Sequence, residues 1–182
     1  RNEVFRYICK RGTVSNPDIS YNMKISLPTA TQITKELIAE GLLEEKGELQ
    51  STGGRRAKAL SAVVDVRLAV GLDITKNHIA LVLTNIVGEI LKYERIHQPY
   101  IPGEAYYREV NERLEHFLDE SGADRDKIIG VAISFPGIID MDKGQMTYSH
   151  ILGVEAVPLN AVSAFFSYPC FFINDANAGA YA

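Results

Sequence analysis

The 182-residue sequence predicts an α/β chain in two parts, a helical head over residues 1–62 and a strand-rich body over residues 63–182. Three observations carry that prediction. Charge is split: the head holds 10 Lys+Arg against 7 Asp+Glu and the body 9 against 16, so that +3 and −7 make up the net charge of −4. A basic head on an acidic body points to two jobs in two domains. Next, the stretch Ser26–Gly41, SLPTATQITKELIAEG, carries the start signals and spacing of a helix. Finally, from Arg67 onward short runs rich in Val, Ile and Leu alternate with turn residues and amphipathic stretches, the pattern of strands interleaved with helices.

The bulk numbers are those of a soluble globular protein, with 46% hydrophobic and 23% charged residues. No apolar run approaches the roughly 20 residues of a membrane span, and no signal peptide opens the chain. The expectation is a cytoplasmic protein without membrane insertion. Cys9 and Cys170 stand far apart in apolar surroundings, which favours buried free thiols over a disulfide. They lack zinc-ligand spacing, so no metal or other cofactor is expected in this stretch.

In the head, Asn2–Arg11 reads as a first helix with Val4, Phe5, Ile8 and Cys9 inward, ended by Gly12. Ser15 begins a second, with Pro17 in its first turn and Asp18 placed for a capping box. Ile19 and Met23 face inward. The turn that follows lacks the usual glycine, so Lys24 or Asn22 is expected in the left-handed region at roughly 1 kcal/mol. Ser26 caps the third helix, Pro28 sits in its first turn, and Ala30, Ile33, Leu37 and Ile38 share one face. The other face shows Thr29, Thr31, Gln32 and Lys35, with no acid near the start. Two uses fit this helix: an ordinary amphipathic surface helix, or one that enters the major groove, where small donors and acceptors near the N-terminus read bases. Two short helices, a turn and a third helix make a helix-turn-helix.

Leu42–Lys46 reads as a strand. Leu49–Leu60 follows, with two glycines and then Arg55, Arg56 and Lys58. Such a loop suits a close approach to a phosphate backbone, and its arginines suit a narrow minor groove. Its place directly after the helix-turn-helix favours a DNA-binding wing over a solvated linker. The expected DNA contacts are Ser26, Thr29, Thr31, Gln32, Lys35, Arg55, Arg56 and Lys58.

In the body, Arg67–Ile74, His78–Thr84 and Gly88–Ile96 read as an antiparallel meander. Glu104–Glu120 is a long helix with Tyr106, Val110, Leu114, Phe117 and Leu118 inward. Lys127–Ser134 is a strand apolar on both faces, as in a parallel sheet. Phe135-Pro136-Gly137 turns sharply. Leu159–Phe166 reads as a helix and Cys170–Ile173 as a buried strand. Asn174-Asp175 end that strand, and Ala176–Ala182 begins a helix. The four histidines show no ligand spacing. His78 and His97 fall on strands and His116 on a helix surface, with His150 near Gly137 and Asn174.

This order, three strands, helix, strand, helix, strand, is that of one lobe of the actin-like, ribonuclease H-like fold. Gly71–Leu91 (GLDITKNHIALVLTNIVGEIL), Gly130–Asp140 (GVAISFPGIID) and Ile173–Ala182 (INDANAGAYA) resemble three successive blocks of the ROK family of repressors, open reading frames and sugar kinases. Leu152–Leu159 (LGVEAVPL) is similar to the short block before the last of them. In the head, ELIAEGLLEE and STGGRRAKAL resemble the winged-helix and wing blocks of the family's repressors, of the xylose and N-acetylglucosamine type.

The resemblance implies a winged helix-turn-helix followed by one lobe of an actin-like, ATPase-type domain. It implies a sugar-responsive transcriptional repressor, a homodimer or dimer of dimers, whose head holds operator DNA and whose body senses a sugar or sugar phosphate. Two alternatives stand beside it: an ATP-dependent sugar kinase, and a repressor controlled by docking of a transport protein. In family kinases the first strand runs through an Asp into a Gly-Gly-Thr loop, where glycines let amides approach ATP phosphates. Here Asp73 is kept, but Thr75-Lys76-Asn77 follow Ile74 and both glycines are gone, which argues against catalysis. Asp175 matches the kinases' catalytic base and Asn174 their sugar-binding amide. Gly137, Asn174 and Asp175 are the expected sugar site, with helix capping by Asn174-Asp175 the structural alternative. Ile151 and Val154 depart from the kinases' Asn and Trp. The family's second lobe, with a zinc-binding Cys/His cluster and further sugar ligands, has no counterpart in these residues. A fragment of a longer polypeptide is therefore expected.

Overall fold

The computed structural model describes residues 1–48 and 57–181, and the chain divides into two compact units, Arg1–Val66 and Arg67–Ala182.

The first unit contains helices α1 (Asn2–Arg11), α2 (Asn16–Met23) and α3 (Leu27–Ala39), and strands β1 (Thr13–Val14), β2 (Leu43–Glu48) and β3 (Lys58–Ala62). The strands form an antiparallel sheet in the order β1-β3-β2. Helix α2 starts on a capping box: the Ser15 hydroxyl accepts from the Asp18 amide, and the Asp18 carboxylate accepts from the Ser15 amide at 2.9 Å. It ends at Lys24, which adopts the left-handed conformation (φ 54°, ψ 39°). Ser26 caps α3 by accepting from the Thr29 amide at 3.2 Å. Val4, Ile8, Ile19, Ala30, Leu37, Leu43 and Leu60 form the interior.

Three expectations shift here. Thr34, not Ile33, is fully buried on α3, because its hydroxyl donates to Asn16 Oδ1 at 2.8 Å and that bond offsets burial. Lys58–Leu60 is strand rather than loop, since β3 supplies the buried Ala59 and Leu60 that the helices need. The short β1 is an addition, with Val14 paired to Leu60.

The second unit is built on a five-stranded mixed sheet, ordered β11-β7-β4-β5-β6. Its strands are β4 (Leu68–Ile74), β5 (His78–Asn85), β6 (Ile90–His97), β7 (Ile128–Phe135) and, after a small antiparallel sheet of β8 (Ile138–Asp140), β9 (Gln145–Ser149) and β10 (Val154–Pro158), β11 (Cys170–Asn174). Strand β7 runs parallel to β4 and β11, and β4-β5-β6 is the antiparallel meander. Helix α4 (Glu104–Ser121) lays Val110, Leu114, Phe117 and Leu118 onto a face formed by Val70, Leu72, Leu81, Val131 and Ile133. Alternation along β4 and β5 follows from this one-sided packing.

The opposite face is floored by Gly71, Ala80 and Ala132, and Ile129 on β7 is 54% exposed, so β7 is not apolar-packed on both sides as its composition predicts. Helix α5 spans only Leu159–Ser163, shorter than the predicted Leu159–Phe166. The chain leaves the helical path there so that Phe166 reaches the core and Phe165 stacks on Tyr107 at 6.1 Å. Helix α6 (Asp175–Tyr181) follows β11 directly. The two thiols are free and half-buried rather than fully buried, and burial pushes Cys170 up to about 11. No helix among the described residues is long and apolar enough to cross a membrane.

Candidate functional site

Two places collect the residues singled out by sequence, one in each unit. On α3 the capped start and the Ala30, Thr34, Leu37 stripe turn one side inward, which leaves Ser26, Thr29, Gln32 and Lys35 exposed and Thr31 half-buried. Several of these side chains already have partners. The Ser26 and Thr29 hydroxyls share a hydrogen bond at 2.7 Å, and Gln32 Nε2 donates to Glu36 Oε1 at 2.9 Å. Lys58 projects from β3 and pairs with Glu45 at 2.7 Å, with both side chains largely exposed. An exposed pair of this kind is worth ~0–1 kcal/mol and yields readily to a phosphate. Arg55 and Arg56 lie outside the described residues.

In the second unit, β7 and β11 end side by side, so their C-terminal ends form one rim. There Asn174 Nδ2 donates to the Gly137 carbonyl at 2.7 Å. The other end of the same side chain accepts from the amides of Ala176 at 2.9 Å and Asn177 at 3.2 Å. Asn174 thus caps α6 and clasps it to the corner after β7. Gly137 is required by packing: a Cβ there would lie 2.8 Å from Met146 Sδ and 2.9 Å from the Tyr148 carbonyl. Buried Ser149 braces the corner, donating to the Pro136 carbonyl at 2.6 Å.

A cleft of about 420 Å³ opens beside this clasp, lined by Gly137, Ile138, Ile139, Phe172, Asn174 and Asn177. Its size is within the range of small-molecule sites. Asp175 is exposed on the first turn of α6, accepting from the Ala176 amide at 2.8 Å, and its side chain is not part of the cleft wall. Asn177 is, although sequence reasoning passed over it. The signal was its spacing of three from Asn174, the distance at which an N-cap side chain meets a first-turn amide. His150 is exposed, meets Tyr148 at 3.4 Å and is not among the residues lining the cleft. His78 and His97 face each other across β5 and β6 with ring centroids 5.1 Å apart. Among the described residues no three His, Cys, Asp or Glu side chains gather as a metal site.

The turn between β4 and β5 is closed on itself. The Thr75 amide donates to the His78 carbonyl at 2.9 Å, and the Thr75 hydroxyl both donates to that carbonyl at 2.9 Å and accepts from the His78 amide at 3.2 Å. The Lys76 and Asn77 carbonyls accept from the amides of Tyr100 and Gln98.

Residues 69–182, which include the cleft and this turn, match the model of the ROK family. The chain belongs to the ROK family. It is 31% identical over 179 residues to the xylose repressor of Caldicellulosiruptor bescii, covering 97% of this chain and 45% of the relative. It is 27% identical over 175 residues to the N-acetylglucosamine repressor of Escherichia coli O157:H7, covering 94% and 43%. This ROK chain thus spans about half the length of the curated relatives it matches. Among solved structures it resembles a ROK family transcriptional regulator described as a homolog of the E. coli MLC protein, with a TM-score of 0.73 at 22% identity over 97% of this chain and 45% of that one. A ROK family glucokinase from Streptomyces griseus, solved with glucose and AMPPNP, gives 0.54 at 23% identity over 63% and 35%. At these identities the structures establish a shared fold.

Proposed function

We propose that this ROK chain is the operator-binding head and part of the sensing body of a sugar-responsive transcriptional repressor. The observation that carries the reading is the outward side of α3. Its capped N-terminal turn and its Gln32 and Lys35 stand clear of the unit's core, in a chain 31% identical to a xylose repressor. In this reading residues 1–62 are a winged helix-turn-helix, α2 and α3 form its DNA-reading pair, and β2 and β3 carry a wing whose Arg55, Arg56 and Lys58 approach the backbone. Residues 63–182 are one lobe of the actin-like sensing domain.

The sugar is held at the cleft by Gly137 and Asn174, with the exposed Asp175 next to Asn174 supplying the carboxylate. The body fixes the spacing of two heads in a dimer, and the sugar alters operator affinity only through its differential binding to two arrangements of that dimer. The β4–β5 turn supports sensing without catalysis. The Thr75 amide is engaged by the His78 carbonyl and is not offered to an anion.

Gel shifts against duplexes selected from a random library, repeated at several salt concentrations, test the head. Each phosphate contact contributes about 0.9 to the slope of log affinity against log salt, so Arg55→Ala with Arg56→Ala is expected to flatten it by about two. An unchanged slope removes the wing, and the absence of any retained duplex removes the repressor reading.

A further inference from the structure

The side chains on the reading end of α3 are partly spoken for. One of the Ser26 and Thr29 hydroxyls donates to the other, and Gln32 donates to Glu36. Pro28 brings no amide N–H to the first turn, and that turn holds no acid. Beside them this end also turns apolar surface outward. Leu27, the first residue of α3, is 48% exposed, and Pro28 beside it is exposed as well. A lone exposed leucine is ordinary. A leucine at the first helical position, next to an exposed proline, forms an apolar tip where groove-reading helices make base contacts.

The apolar feature of the major groove is the thymine C5 methyl group, the one edge that separates thymine from the polar pattern of the other bases. We infer that Leu27 reads a thymine methyl and is a specificity-determining residue of the head, an inference that rests on the DNA-binding reading above. Discrimination at this position then comes from burying a methyl rather than from a hydrogen bond.

The test uses the whole chain and the tightest duplex recovered from a random library, with each thymine in turn replaced by deoxyuridine, which lacks only the methyl group. Binding is measured at fixed salt for the wild type and for Leu27→Ala and Leu27→Met. Leu27 is exposed and alanine is a strong helix former, so the variants keep the fold, which their thermal melts verify. The wild type is expected to lose about fourfold at one symmetry-related thymine, the worth of one buried methyl. Leu27→Ala loses about as much or more on the methylated duplex and is indifferent to the replacement, while Leu27→Met stays sensitive. The inference is overturned if no thymine-to-uracil replacement affects the wild type, or if Leu27→Ala keeps the full sensitivity. If no duplex is retained at all, the DNA-binding reading falls and takes this inference with it, a failure distinct from specific binding that ignores the methyl.

Discussion

Replacing Asn174 separates its structural work from any part in holding a ligand. The side chain makes three hydrogen bonds, one to the Gly137 carbonyl and two from the first amides of α6. Asn174→Ala removes a helix cap, worth ~1 kcal/mol, and a bridging bond of about the same net value. The loss is therefore about 2 kcal/mol. For a unit of this size roughly 4 °C accompanies each kcal/mol, so the second unit's transition should fall by about 8 °C in scanning calorimetry. Asn174→Asp keeps a good capping oxygen and loses the donor to Gly137, so it should recover only the cap's share. Asp175→Ala is the control: its side chain is exposed and bonds only its neighbour's amide among the contacts described, so stability should change by less than ~0.5 kcal/mol. If that carboxylate holds a sugar hydroxyl, the same variant weakens sugar binding about tenfold or more in isothermal calorimetry. An Asn174→Ala protein that melts within about 2 °C of the wild type would refute the clasp and the arithmetic built on it.

Three further outcomes follow from particular residues. Lys24→Gly relieves a left-handed lysine at ~1–2 kcal/mol and gives back part of that in chain entropy. The urea midpoint should rise by the equivalent of about 0.5 kcal/mol at unchanged slope, and a fall would show that the lysine is not strained. Gly130→Ala places a Cβ 2.7 Å from the Pro169 carbonyl and 3.0 Å from the Phe171 ring, so it should destabilise the β7–β11 pair by ~1–3 kcal/mol, read from the same denaturation curve. Burial holds the Cys170 thiol protonated up to about pH 11, so alkylation at pH 8 should be slow in the folded protein and fast in urea; rapid stoichiometric labelling of the native state would contradict this.

Local signals carried much of the architecture. The Ser15–Asp18 capping box, the inward stripe of α4 and the β4–β6 meander are each decided by residues a few positions apart, and all are found as read. What escaped depends on distant partners. The β8–β9–β10 sheet rests on strands of three to five residues whose registers come from pairs such as Ile139 with Met146. A left-handed Ala156 inside β10 gives no sequence cue. Burial of Thr34 needs Asn16, eighteen residues earlier. At the rim of β7 and β11 the residue types of Gly137 and Asn174 were legible. Their direct bond across 37 positions was not, nor was the packing against Met146 that demands the glycine.

The self-closed turn between β4 and β5 limits what substitution there can change. Thr75 engages its amide and its hydroxyl with His78, while the next two carbonyls hold the segment that leads into Tyr100. Exchanging Thr75 and Lys76 for glycines deletes the hydroxyl and its bonds yet leaves every backbone bond in place. The Thr75 amide would still be engaged by the His78 carbonyl. Freeing that amide demands that the hairpin be lengthened or its register moved, which disturbs the strand pairing of His78 with His97 as well. The shape of the turn thus rests on the backbone of β4 and β5 as much as on Thr75, and exchanges of single side chains leave that shape standing.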